Sequence, residues 1–566
     1  MRGSRGQIAL ITALIALIAL PRLVGIGQFA TIDEPYWLTA GSDFYYALGQ
    51  RAFANTFYDY HPAVTTMWIV TAAMLIYFPQ YRGFGQGYFD VYKDSLERFL
   101  LEHGHTPLGL LVAARVIQTL LIVLLLMCLW WFLRRLLGDK VAAAATLLVS
   151  FDPFFLGHSR LLNHEGMLVL FVLISLLALI NHLFLERRWA CLLLSGAAAG
   201  LAQLTKSSSI VLLPVIGLLF LVKLTACRQS GGPRKLVRSI AELAAWLGTV
   251  ALAYFLFWPG MWVAPGQMLY QVFGNALSYA FEGSRLAVTG GLQPPAAPLS
   301  FGGVMDYVQS MLWRTTPLVW LGVMLGIVAL VRGGGRTRII LPSVALTGGL
   351  FVILFGVVSG RNSAHYVLTA YVALDIIAAA GYVQAAEWLA IRLAPTRQGI
   401  TAGLITLVVV GIQAASALAF YPYYYNYFNP IMEASEPGFQ DPNFGYGEGL
   451  DVAAAYLRSK PGAAESTVIV FYGRGPFSFF YPGKTEPLKP VYADAENVPQ
   501  LRQILRTSEY LVIYYELEKD RQSPANVMRG LANAIPEESI WLNNIEYVRI
   551  YRVATLPRDF YAALGP

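Results

Sequence analysis

Long apolar stretches alternate with short polar interruptions over the first three quarters of the chain. Apolar runs lie near residues 8–27, 108–133, 140–157, 165–185, 189–205, 207–223, 238–258, 311–331, 338–358, 366–390 and 399–420. About 20 apolar residues carry a helix across the hydrocarbon core of a bilayer, so each run reads as a candidate transmembrane helix. One more run, Ala63 to Phe78, is shorter and starts at His61-Pro62. After Phe420 the pattern changes. "YPYYYNYFNP" has the composition of an interfacial aromatic belt. Beyond it, strand-like runs ("STVIVFY", "EYLVIYYE", "EYVRIYRV") alternate with helical patterns such as Gly449–Arg458. The pattern predicts an α-helical polytopic membrane domain over 1–420 and a small α/β domain over 421–566.

Composition agrees. Apolar residues make up 56% of the chain and charged residues 13%, where soluble proteins carry about a quarter charged. The first run is too long and uninterrupted for a signal peptide and lacks a small-x-small cleavage site, so it reads as a retained span. The three cysteines, Cys128, Cys191 and Cys227, lie in or beside apolar runs without ligand-like spacing. That excludes a zinc cluster and gives no disulfide framework. The net charge of +7 sits in short loops, which is a topogenic pattern and not a nucleic-acid surface.

Those loops also set sidedness. With Arg2 and Arg5 inside and the 63–78 segment not crossing, Arg134-Arg135, Arg187-Arg188, Arg228 to Arg238, Arg332 to Arg338, and Arg392 with Arg397 all fall inside. A crossing there would put every one of them outside. The expectation is about eleven spans, N-terminus in and C-terminus out. A long first outer loop (28–107) then carries juxtamembrane helices, 63–78 among them.

Few polar groups remain at the outer ends. Asp33 and Glu34 stand in "TIDEPYW", Asp59 and His61 later in the same loop, and His158 to Glu165 between two spans. Lys206 lies in "LTKSSSI", and Arg361 and His365 in "SGRNSAHYVL". Ionisable groups at membrane depth are costly and functional by default. Each also has a simpler reading. Asp33 could cap a helix starting at Pro35, Glu165 could answer a helix dipole, and Lys206 could snorkel. Lys206 and Arg361 nevertheless stand on the outer side, against the charge rule. Asp152-Pro153 reads as a helix-ending turn.

Taken in this order, the residues resemble the GT-C superfamily of membrane glycosyltransferases. The resemblance is to the family-39-like branch of protein O-mannosyltransferases and the lipid A aminoarabinose transferase. Asp33-Glu34 matches the acidic pair of the first outer loop, and "YDYHPAV" (58–64) resembles D-x-H-P-P. "SRLLNHEGMLVLF" (159–171) resembles SR-x4-D, and "GLAQLTKSSSIVLLP" (200–214) the G-L-A-x-L-T-K-G turn. "FWPGMW" (257–262) and "RNSAHYVL" (361–368) fit more loosely. Glu165 replaces the usual Asp, Ala63 the second proline and Ser207 the common glycine. "YGEGLDVAAAYL" (446–457) resembles the tail of uncharacterised bacterial relatives. "YGRGPFSFFYPG" (472–483) reads as a structural turn or a sugar-contacting loop.

The resemblance implies a GT-C-like fold and a hexosyl- or pentosyltransferase. Its donor would be a sugar on a polyprenyl phosphate, undecaprenyl phosphate by analogy with bacterial relatives. Transfer would invert configuration at the outer face of the cytoplasmic membrane. Asp33, Glu34 and Glu165 take catalytic places, with Asp33 as general base. His61, Lys206, Arg361 and His365 are candidates for the donor phosphate, and Tyr36, Trp37, Asp59 and His164 for sugar or acceptor. No cofactor is implied. A divalent ion on Asp33, His164 and Glu165 is conceivable chemically, yet no ligand spacing demands one. Protein, glycolipid and polysaccharide acceptors stay open. The rival reading, a multi-pass transporter or lipid flippase, would show repeat-related halves and polar residues near mid-membrane.

Overall fold

The structure is a computed structural model. It describes residues 2–59, 61–230, 232–282, 301–332, 334–358, 363–435, 445–514 and 524–565. Two compact units emerge: Met1–Val24, Gly41–Gly87 and Ala114–Asp441 form one, and Gly25–Ala40, Tyr88–Ala113 and Pro442–Pro566 the other. Two pieces of the first outer loop therefore group with the C-terminal residues.

Every expected apolar run is helical. Among the described residues, eight helices are long and apolar enough to cross a membrane: Gly6–Leu23, Pro107–Leu137, Glu165–Phe184, Ser207–Thr225, Arg234–Phe257, Thr337–Val357, Ala364–Leu393 and Pro395–Leu418. The chain is a multi-pass membrane protein. Two expected straight spans are instead bent pairs, which raises the number to at most ten, and Trp189–Thr205 is a shorter apolar helix of 17 residues. At the first bend, of 68°, Pro153 opens a new helix and Asp152 caps it, its Oδ1 accepting the Phe155 N–H at 2.7 Å. At the second, Gly302–Arg314 and Pro317–Arg332 diverge by 112°. Thr316 sits at this break, its hydroxyl accepting the Val319 N–H at 3.3 Å and donating to Gln413 Oε1 at 2.7 Å. Residues 311–314 thus belong to a separate helix. Val64–Tyr77 has 14 residues, about 21 Å of helix against a hydrocarbon core of about 30 Å.

Burial ranks these helices. In the most apolar window of Glu165–Phe184, 94% of residues are buried, and in Ala364–Leu393 89%, against 22% in Gly6–Leu23. The first two are the heart of the bundle, and the last presents its apolar side chains outward. Close packing uses small residues spaced four apart. A Cβ on Gly381 would meet the backbones of Gly326 and Gly322, and one on Gly200 would lie 2.8 Å from the Val250 carbonyl. At Gly322-x3-Gly326 and Gly196-x3-Gly200, neighbouring helices touch backbone to backbone.

The second unit contains a five-stranded sheet of order β2-β1-β3-β5-β4. Its strands are β1 (Thr467–Phe471), β2 (Lys484–Pro487), β3 (Tyr510–Tyr514), β4 (Glu538–Leu542) and β5 (Ile545–Arg552). β1 runs parallel to β2 and β3, and β5 antiparallel to β3 and β4. Ile469, Phe471, Leu511, Ile513 and Tyr551 pack on Leu501 and Leu505 of the Val498–Thr507 helix. The three strand-like runs of the sequence are β1, β3 and β5, and the Leu450–Arg458 helix is the expected helical pattern. β2 and β4 are not visible in the pattern because "KTEP" is short and polar and "ESIWL" runs from polar to apolar without alternating.

Candidate active site

In the first unit, the helix Trp189–Thr205 ends at Lys206, whose extended backbone (φ −157°, ψ 132°) turns the chain into a 3-10 turn. Ser209 Oγ donates to the Lys206 carbonyl at 2.9 Å and fixes that turn. The Lys206 ammonium then donates to Glu165 Oε1, at the first residue of Glu165–Phe184. The two side chains are 1% and 5% exposed. A buried ion pair survives only with good geometry and added partners. Here the ammonium also lies 4.2 Å from the centre of the Tyr366 ring, and Tyr366 stacks on Phe355 at 5.2 Å. A desolvated cation over an aromatic face gains roughly 2 kcal/mol.

Imidazoles surround this pair. His164 Nε2 is 3.6 Å from Glu165 Oε1, and its ring lies 5.8 Å from that of His61. His365 packs on Tyr366 at 4.4 Å and on His158 at 5.4 Å. Asn163 ties the group together: its Oδ1 accepts the Glu165 N–H at 3.1 Å, and its Nδ2 lies 3.3 Å from His158 Nδ1. Arg314, buried at the end of its helix, donates to the Tyr425 carbonyl at 2.8 Å, and Tyr425 stacks on His158 at 5.7 Å. The result is one buried carboxylate with cations and imidazoles gathered at the breaks between apolar helices. Such a group can hold an anion and move protons. Arg160 has a different task, donating to the Val24 and Pro422 carbonyls at 2.8 and 3.1 Å and so tying two distant chain segments.

In the second unit, the Asp33 loop is held from several directions. Glu34 is fully buried, and its Oε2 accepts the Thr31 N–H at 2.7 Å. The bond closes the Thr31–Glu34 turn ahead of the helix Glu34–Gln50. Asp33 Oδ2 accepts the Tyr446 hydroxyl at 2.5 Å, while the Ile32 N–H donates to the Tyr446 carbonyl at 3.2 Å. Tyr446 lies within Gly445-Tyr446-Gly447-Glu448-Gly449, whose glycines all have φ between +81° and +112°. At Gly447 no other residue fits, because a Cβ would stand 2.8 Å from the Ala30 carbonyl. The turn at 473–475 packs on the same loop, with a Cβ on Gly475 reaching Pro35 at 2.7 Å. Arg474 points elsewhere, to Glu97 at 2.9 Å and Thr485 at 3.1 Å. This favours the structural-turn reading of "YGRGPF". Tyr36 sets its ring edge-on to buried Trp37 at 4.9 Å.

Of the residues singled out from sequence, His61, His164, Glu165, Lys206 and His365 come together in the first unit. Asp59 adjoins them through the His61 N–H, which it accepts at 3.4 Å. Asp33, Glu34, Tyr36 and Trp37 belong to the second unit. Arg361 lies outside the described residues. Among the described residues, no three or more His, Cys, Asp or Glu side chains are arranged to hold a metal ion. Sequence reasoning did not single out Arg314, Tyr366 or Tyr446. Arg314 carried a signal, a cation inside an apolar run just before Thr-Thr-Pro.

Residues 109–260 match the family model described as dolichyl-phosphate-mannose-protein mannosyltransferase. The matched stretch contains Glu165 and Lys206, and within it the resemblance read from the motifs is borne out. No curated protein matches the sequence. Among solved structures, ArnT from Cupriavidus metallidurans bound to undecaprenyl phosphate is similar at 13% identity and TM-score 0.49, over 99% of each chain. The Archaeoglobus fulgidus oligosaccharyltransferase has 12% identity and TM-score 0.46, over 90% of this chain and 70% of its own. The S. cerevisiae protein O-mannosyltransferase Pmt1-Pmt2 complex bound to the sugar donor has 19% identity and TM-score 0.36, over 52% of this chain and 39% of its own.

Proposed function

We propose that the chain is a membrane glycosyltransferase. It transfers a sugar from a polyprenyl-phosphate-linked donor to an acceptor at the outer face of the cytoplasmic membrane. The observation that carries this reading is the buried Lys206–Glu165 pair, which lies with His164 inside the stretch that matches the mannosyltransferase family, and the His61 and His365 rings gathered beside it. A lipid phosphate is already a good leaving group and needs cations and hydrogen-bond donors around it more than a general acid. Lys206, His365 and His61 supply these. Asp33, in the family's acidic pair, takes the proton of the acceptor hydroxyl as general base. The hydroxyl oxygen bonds to the anomeric carbon from the face opposite the phosphate. The carbon–oxygen bond to the phosphate breaks with its electron pair leaving on the polyprenyl phosphate, and configuration inverts. Glu34 fixes the loop of the base, and Glu165 orients Lys206.

Mass spectrometry of lipids that co-purify with wild-type protein and with Asp33→Asn tests this. A polyprenyl-phosphate sugar enriched on the variant supports the reading and gives the sugar's mass. An Asp33→Asn protein that consumes that donor at the wild-type rate refutes the base. The transporter reading draws on one observation: Asp375 is fully buried within Leu368–Leu393, with no hydrogen-bond partner for either carboxylate oxygen among the described residues. A substrate flux abolished by Asp375→Asn, with donor turnover absent, would favour it.

A further inference from the structure

We infer that Tyr446 is a positioning residue for Asp33, and that the Glu448–Tyr446–Asp33 chain is the contribution of the C-terminal sheet unit to the reaction. The inference rests on the reading of Asp33 as base. It is carried by hydrogen bonds within one compact unit.

The Tyr446 hydroxyl donates to Asp33 Oδ2 at 2.5 Å. Tyr446 is itself held at both ends of its backbone. Its N–H donates to Glu448 Oε2 at 2.5 Å, and its carbonyl accepts the Ile32 N–H at 3.2 Å. Glu448 is 1% exposed and also accepts the Tyr514 hydroxyl at 2.8 Å. Tyr514 is the last residue of β3, wholly buried and paired with Val548 across the sheet. Rigid strand, buried carboxylate, tyrosine and acid therefore form one continuous line. A Cβ on Gly445 would press on the Tyr514 ring at 2.6 Å, so the glycine turn is fitted to that tyrosine.

A carboxylate that must take a proton has to present one oxygen along a fixed direction. Errors of about 1 Å in such placement cost roughly a hundredfold in rate. A hydroxyl bonded to Oδ2 locks the carboxylate rotation. It also favours the ionised form, the form that acts as base. Among the described residues, the other charged groups on the elements beside this loop include Glu34, Glu448, Asp451 and the Arg474–Glu97 pair.

The test uses the full-length protein and, as donor, the polyprenyl-phosphate sugar recovered from Asp33→Asn. Release of polyprenyl phosphate is followed across pH for wild type, Asp33→Asn, Tyr446→Phe and Glu448→Gln. Tyr446→Phe is expected to keep the donor KM, lose roughly tenfold or more in kcat, and move the acidic limb of the pH–rate profile to higher pH. Glu448→Gln shows the same split more weakly and serves if Tyr446→Phe does not fold. Wild-type kcat and an unmoved acidic limb in both variants overturn the positioning role while leaving the base intact. An active Asp33→Asn, or a protein that neither retains nor consumes such a donor, removes the base reading and this inference with it.

Discussion

The Lys206–Glu165 pair invites a double-mutant cycle. Each partner is nearly sealed from solvent, at 1% and 5% exposure, so removing one leaves the other's charge buried without its counter-ion. Breaking a buried pair this way costs about 3–5 kcal/mol, whereas replacing both partners with apolar side chains of similar volume is often neutral. Coulomb attraction at about 4 Å and an effective dielectric near 20 gives about 4 kcal/mol, the same size. In Glu165→Met the Tyr366 ring still faces the ammonium and offsets part of the loss. Lys206→Met and Glu165→Met should each lower the thermal transition of the purified protein by roughly 6–10 °C, at about 2 °C per kcal/mol for a large domain. The double variant should recover most of that. Lipid-retention and turnover measurements on the recovered double variant test the proposed contact of the pair with the donor. A stable double variant that no longer consumes donor supports a part for the pair in the reaction, and one that consumes it at the wild-type rate removes Lys206 from the phosphate. Single variants as stable as wild type, or a double variant no better than the worse single, would refute the account of the pair.

Other sites give sharper structural tests. Gly381→Ala should lower the melting temperature by the equivalent of about 1–3 kcal/mol, since its Cβ would meet the Gly326 and Gly322 backbones. Gly217→Ala and Gly411→Ala, whose Cβ positions meet nothing within 4 Å, should be neutral or gain about 0.5–1 kcal/mol. Arg160→Lys should destabilise nearly as much as Arg160→Met, because a single ammonium cannot replace the guanidinium fork spanning the Val24 and Pro422 carbonyls. In the sheet unit, burial works to raise Glu537 and Glu546. The bonds from Lys460 and Tyr456 to Glu537, and from Arg549 to Glu546, outweigh it and hold both below the ordinary glutamate value. Their stabilisation is full above the unfolded value near 4.5 and is lost as pH falls through the lower folded values. Melting temperature should therefore drop on acidification, and less so in Glu546→Gln.

What the sequence discloses follows from the range of the interactions. Helix-forming runs and β1, β3 and β5 are local patterns, and all are found. The bends are half legible: Asp152-Pro153 announces one, whereas Thr315-Thr316-Pro317 is hidden inside an apolar run whose ends have different axes. The gathering of His61, His164, Glu165, Lys206 and His365 was readable because alternating span ends share one side of a bundle. Their mutual bonding was not. Lys206 and Glu165 are 41 positions apart, and nothing local says that they meet. Tyr446 could not be anticipated at all, since its bond to Asp33 spans 413 positions.

That separation bears on how the protein is made. At about 5–20 residues per second, a ribosome that has just released the Asp33 loop needs roughly 20–80 s to reach Tyr446. Until then the acid has neither its hydroxyl partner nor the glycine turn that seats it. An unfinished chain can therefore insert its helices early while its Asp33 carboxylate is not yet held. The bond between Tyr446 and Asp33 closes only after the membrane portion has been synthesised.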